Sequence, residues 1–273
     1  MRYKAFYCGL IVFLCVWSIP LAASGFDHSH KLWNQLLSDH VRWNANGTAS
    51  QVDYLGFAQN RPQLTAYLDA LSEVTLDQFD QWSRNQQLAF LINAYNAFTI
   101  DLILTEYPYL NSIKELGAFF SSPWERKFFY LLDEKRYLDD IEHNLIRGSG
   151  RFNEPLIHFA VNCASVGCPA LRDEAYVAAQ LNPKLLDSTR RFLQDRSRNH
   201  FDAVNSELNV SSIFDWYSED FAQGWRGYHS LIDFFRTHAD WIADGPNAQA
   251  KLKSHVVKLD FLDYDWSLND LER

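Results

Sequence analysis

The chain has 273 residues, with 25 Lys and Arg against 34 Asp and Glu, so it carries a formal net charge of −9. An acidic surface repels a phosphate backbone, which excludes nucleic acid as an expected partner. With four cysteines in a chain long enough to bury a core, a disulfide framework is also excluded as the basis of the fold.

The first element in chain order is an export signal. Arg2 and Lys4 form a short basic start, Cys8 to Ile19 (CGLIVFLCVWSI) is an uncharged apolar run, and Pro20 ends it ahead of Ala22-Ala23-Ser24. Basic start, apolar middle and small-residue exit is the pattern of a removable secretory signal. The apolar run is short for a bilayer-spanning helix, which needs roughly 20 residues. Residues 1–24 are therefore expected to be a signal peptide, residues 25–273 a single globular domain, and the location periplasmic or secreted. No later segment reads as long and apolar enough to span a membrane. Removing the signal leaves 23 basic and 34 acidic residues, a net charge of −11, and leaves Cys163 and Cys168 as the cysteines of the mature chain.

The strongest helical pattern runs from Arg84 to Tyr107. Leu88, Leu91, Ile92, Tyr95, Thr99, Leu102 and Ile103 recur at helical spacing, and Pro108 ends the run. Asn93 and Asn96 lie three apart on one side of this helix. Asparagine is a poor helix former, so the pair implies hydrogen bonds to a neighbouring loop or a ligand. Phe128 to Leu132 and Arg136 to Leu138 flank Asp133-Glu134-Lys135 as a hairpin. Leu156 to Asn162, after Pro155, reads as a buried strand. Asn182 before Pro183 reads as an N-cap with a first-turn proline, opening a helix through Leu193. A second hairpin falls around Asn205, a helix opens at Ser212, and Leu231 to Ile242 is amphipathic. Val256 to Leu262 is a late strand. This is a mostly helical α+β domain with a small sheet, compatible with a cysteine-hydrolase-like arrangement.

Reactive side chains concentrate between Leu138 and Arg172. Asp139 with Glu142 has the spacing of a capping box, which competes with a catalytic role for Glu142. His143 follows in the second turn, its side chain diverging from that of Glu142. On a strand, His158 would share a face with Leu156, Ala160 and Asn162 as a core histidine bonded to backbone, with Cys163 on the other face. Cys163 sits where the strand gives way to small residues, a place where a thiolate can act if a His, a cation or a helix N-terminus stabilises it. Cys168, five residues on, leaves open a local disulfide with Cys163, a thiol-redox pair, or a zinc site. The C-x4-C spacing is weak for redox, and the second ligand pair of a zinc site is missing. No metal or other cofactor is expected.

Four stretches then carry a resemblance: Phe90 to Ala97 (FLINAYNA), Leu138 to His143 with Leu145 to Arg147 (LDDIEH, LIR), Phe159 to Arg172 (FAVNCASVGCPALR) and Tyr264 to Asp270 (YDWSLND). Together they resemble the family catalogued as domain of unknown function 547, in its bacterial exported branch, over a core of about residues 88–270. Its name assigns no activity, so the resemblance implies the domain and not the chemistry. In related plant domains the position of Cys168 is not always cysteine, which implies a role for Cys163 that needs no disulfide partner.

The function expected from these residues is a thiol-dependent acyl-transfer or hydrolase-like enzyme acting on an extracytoplasmic small molecule or peptide. Cys163 would be the nucleophile and His143 the base. Asn162 or backbone amides near Ala164 would stabilise the oxyanion, and Glu142, Asp139 or Asp140 would position the site. Asn93, Asn96 and Arg172 would bind substrate. The alternatives are a non-catalytic binding or scaffold domain braced by a Cys163–Cys168 disulfide, and an extracytoplasmic thiol-redox protein.

Overall fold

In the computed structural model, residues 25–117, 122–254 and 256–271 are described, so the expected signal segment lies outside the described residues. The first helix, Lys31–His40, buries Trp33, Leu36 and Leu37. They face Arg61–Ser72, which buries Leu64, Tyr67, Leu68 and Leu71, and Trp33 stacks on Tyr67 with ring centroids 5.5 Å apart. A helix that shows one apolar stripe must cover it, and these two cover each other.

The helix Arg84–Leu104 forms the centre of the fold. Ser83 and Gln86 make a reciprocal capping box at its start, which satisfies amides that have no partner inside the helix. Its 21 residues are apolar nearly all round, unlike the one-sided helices that surround it, and 89 % of its most apolar stretch is buried. By length and composition this helix could cross a membrane, which corrects the expectation that no later segment could. Its burial among neighbouring helices identifies it instead as the core helix of the domain.

Among the described residues, the strands form three small sheets. Val41–Trp43 pairs with Ser50–Val52, and Phe129–Leu131 pairs with Glu134–Arg136. The second hairpin turns on Leu132 and Asp133, at φ 52° and 65°, rather than on Asp133-Glu134-Lys135. Two successive left-handed residues make the two-residue turn whose twist matches paired strands. Asn199–Asp202 and Glu207–Ser211 form the hairpin expected around Asn205. Lys258–Leu262 adds in parallel to Glu207–Ser211 as the third strand.

Three expectations fail locally. Leu156 to Asn162 is not a strand: Pro155–Phe159 is a 3-10 helix, with Pro155 in its first turn and the Glu154 side chain accepting from Leu156 N. Every residue of Pro155–Phe159 is buried, so no alternation of faces exists there. The later helix starts at Leu181, two residues before Pro183, so Asn182 lies inside it and is not its cap. Proline is tolerated there because the first-turn amides have no intrahelical acceptor. Leu231 to Ile242 divides at His238 into Leu231–Thr237 and Ala239–Ile242. The described residues are mostly helical with small sheets, the mostly helical α+β class expected.

The C-terminal segment ties these parts together. Val52 donates to Asn269 O and accepts from Leu271 N, Asn269 donates to Ala164 O, and Leu268 donates to Asn111 O. Residues 268–271 thereby fasten the turn after Cys163 to the first sheet.

Candidate active site

Cys163 follows the 3-10 helix, at the start of a turn in which Ala164 adopts φ 63°. A buried alanine in the left-handed region costs of order 1–3 kcal/mol and persists only where its surroundings impose it. Here Ala164 N donates to Asn162 Oδ1 and Ala164 O accepts from Asn269 N. The turn directs the Cys163 sulfur at three groups. Sγ lies 3.1 Å from Ser165 Oγ, 3.0 Å from the Tyr264 hydroxyl and 2.9 Å from Cys168 Sγ, and the two hydroxyls are 2.9 Å apart. Burial pushes the Cys163 thiol up, but hydrogen bonds from Cys168, Ser165 and Tyr264 outweigh it and bring the group below the ordinary thiol value. Burial and the same contact push Cys168 well up. Both cysteines are free thiols.

Gly167 sets the distance to Tyr264. A Cβ at this position would meet the Tyr264 ring and Asp265 O at 3.0 Å, and Gly167 N donates to Asp265 O. A side chain would force the two segments apart.

Beside the sulfur stands a buried polar chain. Asp140–Arg147 winds as a π-helix, a form that recurs at functional sites. It buries Glu142 and turns His143 outward. His158, with a side chain of zero exposure, has Nε2 2.8 Å from Asp220 Oδ2 and Nδ1 3.7 Å from Glu142 Oε1. The second distance is too long for a hydrogen bond, so Nδ1 is left without a partner. Asp220 also accepts from Arg147 through Nε at 2.6 Å and Nη2 at 3.0 Å. Burial raises the Asp220 carboxyl, but His158 and Arg147 together bring it down to about 2. Burial raises Glu142 in the same way, and His158, His143 and the Tyr217 hydroxyl outweigh it, leaving the carboxyl below its usual value. Tyr217 stacks on His158 with centroids 3.8 Å apart.

Cys163, Cys168, Glu142, His158 and Asp139 line one cavity of about 180 Å³, walled by Tyr95, Trp124, Trp216, Tyr217, Tyr264 and Trp266 among others. Asp139 differs from Glu142 and Asp220 in the direction of its shift. Burial, with Glu142 and Glu125 nearby, raises its carboxyl to about 6 against the opposing pull of His143.

The structure brings together some of the expected residues and separates others. Cys163 and Glu142 share the cavity. Glu142 does not belong to a capping box, because the helix start carries no side-chain cap. The expected pairing of His143 with Cys163 is not formed. His143 Nδ1 accepts from Arg147 at 2.6 Å, its Nε2 is 3.9 Å from Asp139, and among the described residues no histidine hydrogen-bonds the Cys163 sulfur. His158 bonds carboxylate rather than backbone, and it takes the place in the cavity wall expected for His143. Asn162 holds the turn instead of facing the cavity: its amide donates to Pro169 O, its Oδ1 accepts from Ala164 N, and its backbone N donates to Asn96 Oδ1. The backbone amide of Ala164 is thereby also taken.

Asp140 is bound by Arg136 and Asn144. Asn93 exchanges two hydrogen bonds with the Tyr176 backbone, and Asn96 donates to Ala160 O, so both asparagines are tethers of backbone. Arg172 joins Asp187, Ser188 and Glu174. None of Asn93, Asn96, Asn162 or Arg172 lines the cavity.

Sequence reasoning missed Ser165, Tyr217, Asp220, Tyr264, Trp216 and Trp266. For Tyr264 and Trp266 a signal existed, since both lie in the YDWSLND stretch already singled out. Ser165 lies within the cysteine motif. Asp220 had none, because an acid beside Glu219 reads as solvated surface.

Residues 79–193 match the model of the family described as Protein of unknown function, DUF547. The match supports the family read from the motifs, and it includes the π-helix, the Cys163 turn and His158. Tyr264 and Trp266 lie beyond it. No curated protein and no solved structure matches the chain.

Proposed function

We propose that the chain is an exported, bacterial-type member of this family and a thiol-dependent acyl-transfer or hydrolytic enzyme with Cys163 as nucleophile. The observation that carries this reading is the convergence of Ser165, Tyr264 and Cys168 on the Cys163 sulfur at the wall of the cavity. Hydroxyls that can donate to the sulfur favour the thiolate, the form that attacks carbon. The thiolate attacks an acyl carbonyl, a carbon–sulfur bond forms, and the leaving group departs with a proton. Asp139, with a carboxyl raised to about 6, is the group that can carry that proton near neutral pH. Water then attacks the thioester, Asp139 accepts a proton from it, and the Cys163 thiolate is released. As charge moves from sulfur to the carbonyl oxygen, the Tyr264 and Ser165 hydroxyls can follow it, in the role expected earlier of Asn162. Glu142, His158 and Asp220 hold Tyr217 and the cavity wall in place. Export rests on the basic start, apolar run and small-residue exit of residues 1–24.

A second reading rests on the 2.9 Å approach of the two sulfurs, which suits a thiol-redox pair. One experiment separates the two. The reduced protein is mixed with a small activated ester, and the intact mass is followed. Acyl transfer predicts a transient adduct of one acyl group on Cys163, retained in Cys168→Ser and lost in Cys163→Ala. No adduct on reduced protein, with a disulfide forming readily under mild oxidant, contradicts acyl transfer and supports the redox pair.

A further inference from the structure

The cavity beside Cys163 is chemically one-sided. Its ionisable lining beyond the thiols and tyrosines is Asp139, Glu142 and His158, with no Lys or Arg among the lining residues. Glu142 is held by its neighbours. Asp139 is served only by a 3.9 Å approach to His143. The other wall is an aromatic corner. Tyr264 and Trp266 have centroids 4.5 Å apart at 50°, Trp216 and Tyr264 4.9 Å apart at 49°, and Trp216 and Trp266 5.7 Å apart at 23°. Trp216 is 47 % exposed, a large indole left to water beside the reactive sulfur. One ring of the corner already holds a cation, because Lys114 Nζ sits 3.7 Å from the centroid of Trp266.

Ring faces carry negative charge, so an aromatic corner opposite carboxylates attracts a positive group more than a neutral or negative one. An anionic substrate would have to approach two carboxylates in a lining that holds no Lys or Arg to receive it. At about 180 Å³ the space has room for an ammonium head and an adjoining carbonyl.

We propose that this cavity takes an alkylammonium group, seated on the exposed face of Trp216 and facing Asp139, so that the acyl substrate is a small amine-bearing ester or amide. The proposal deepens the thiol-enzyme reading of the same site, and its test separates the two. The ligand lies against the indole that the fold leaves half exposed, and it gives Asp139 a positive partner besides His143, which stands 3.9 Å away. It also positions a carbonyl toward Cys163, since rings and sulfur line the same space. A cation beside Asp139 lowers that carboxyl from about 6, so binding strengthens as pH rises from 5 to 7.

The test measures alkylation of Cys163 by neutral iodoacetamide in the reduced full chain, alone and with tetramethylammonium chloride. Controls are sodium chloride at equal ionic strength and tert-butanol as the uncharged shape. Tetramethylammonium is expected to slow alkylation several-fold and the controls not at all. Trp216→Leu is expected to lose the protection, read as the ratio of its own rates with and without tetramethylammonium. Equal protection by tert-butanol, protection by a neutral methyl glycoside in place of the cation, or no protection overturns the proposal while leaving the thiol reading intact. If unprotected alkylation is itself slow, the thiol reading fails. Tryptophan fluorescence titrated with tetramethylammonium then decides the cation site: a saturable change absent in Trp216→Leu supports it, and no change overturns it.

Discussion

At the scale of single residues, Asp139 and His158 show how the site is held together against its own charge. Asp139 is raised to about 6 in the fold from 3.8. A carboxyl raised by folding costs stability once pH passes its unfolded value, and the full cost is reached above its folded value. Asp139→Asn should therefore match the wild type in urea melts at pH 4 and exceed it at pH 7. The excess should be about 1–2 kcal/mol after allowing for the 30 % exposure of the side chain. The same variant should lose acyl transfer. No stability gain at pH 7 would remove the basis for giving Asp139 the proton.

His158 is the opposite case, a ring that two buried acids require. His158→Phe keeps the stacking on Tyr217 but removes the group between Glu142 and Asp220. It should destabilise the fold by about 3 kcal/mol, as a broken buried pair does. A melt unchanged from wild type would contradict this. The cysteine window was legible because it is dense in reactive residues. The partner of Cys163 was not, because the donors come from Ser165 in the turn and from Tyr264, a hundred residues away. The search was for a histidine, and hydroxyls do the same work on a thiolate.

At the scale of elements, the long helix was read from its apolar spacing, which survives in any context where the helix is buried. Leu91→Asp places an unpaired charge at full burial and should prevent folding, checked by soluble yield and circular dichroism. Soluble protein melting like the wild type would refute the core assignment. The segment Pro155–Phe159 shows the limit of periodicity. Five buried residues in a row have no polar face from which to read a period, and a 3-10 turn and a strand then look alike. The consequence reached the site, because alternation put His158 and Cys163 on opposite faces, whereas both line one cavity. The C-terminal motif was visible as a motif, and its purpose is a contact. Gly167→Ala tests it, since a methyl there presses on the Tyr264 ring. Alkylation of Cys163 should slow several-fold with little change in melting temperature. An unchanged rate would mean that Tyr264 does not support the thiolate.

At the scale of the molecule, stability and export each carry an expectation. Asp220 sits at about 2 against an ordinary 3.8. A carboxyl depressed by folding stabilises fully above its unfolded value, and that stabilisation fades as pH falls through 3.8 toward 2. The Arg147–Asp220–His158 chain should therefore contribute about 2 kcal/mol near neutral pH that is absent in strong acid. Asp220→Asn should flatten the acid limb of a stability–pH curve, and an acid limb identical to wild type would contradict the assignment. Export predicts a mature N-terminus within two residues of the Ser24–Gly25 bond, read by N-terminal sequencing, and an intact Met1 on membrane-bound protein would rule it out. The overall class was legible because helical spacing dominates the chain. The joining of Val52, Ala164 and Asn111 through residues 268–271 was not, since backbone bonds between distant loops leave no periodic trace.

The central claim is that Cys163 is a stabilised thiolate, and the pH dependence of its alkylation tests it most directly. The rate of iodoacetamide modification at Cys163 is followed by mass spectrometry from pH 5 to 10, in wild type and in Tyr264→Phe, both reduced. The account predicts a midpoint below the usual ~8.5 of a free cysteine in the wild type, and an upward shift when the Tyr264 hydroxyl is removed. A wild-type midpoint at or above that value, unchanged in Tyr264→Phe, would contradict it.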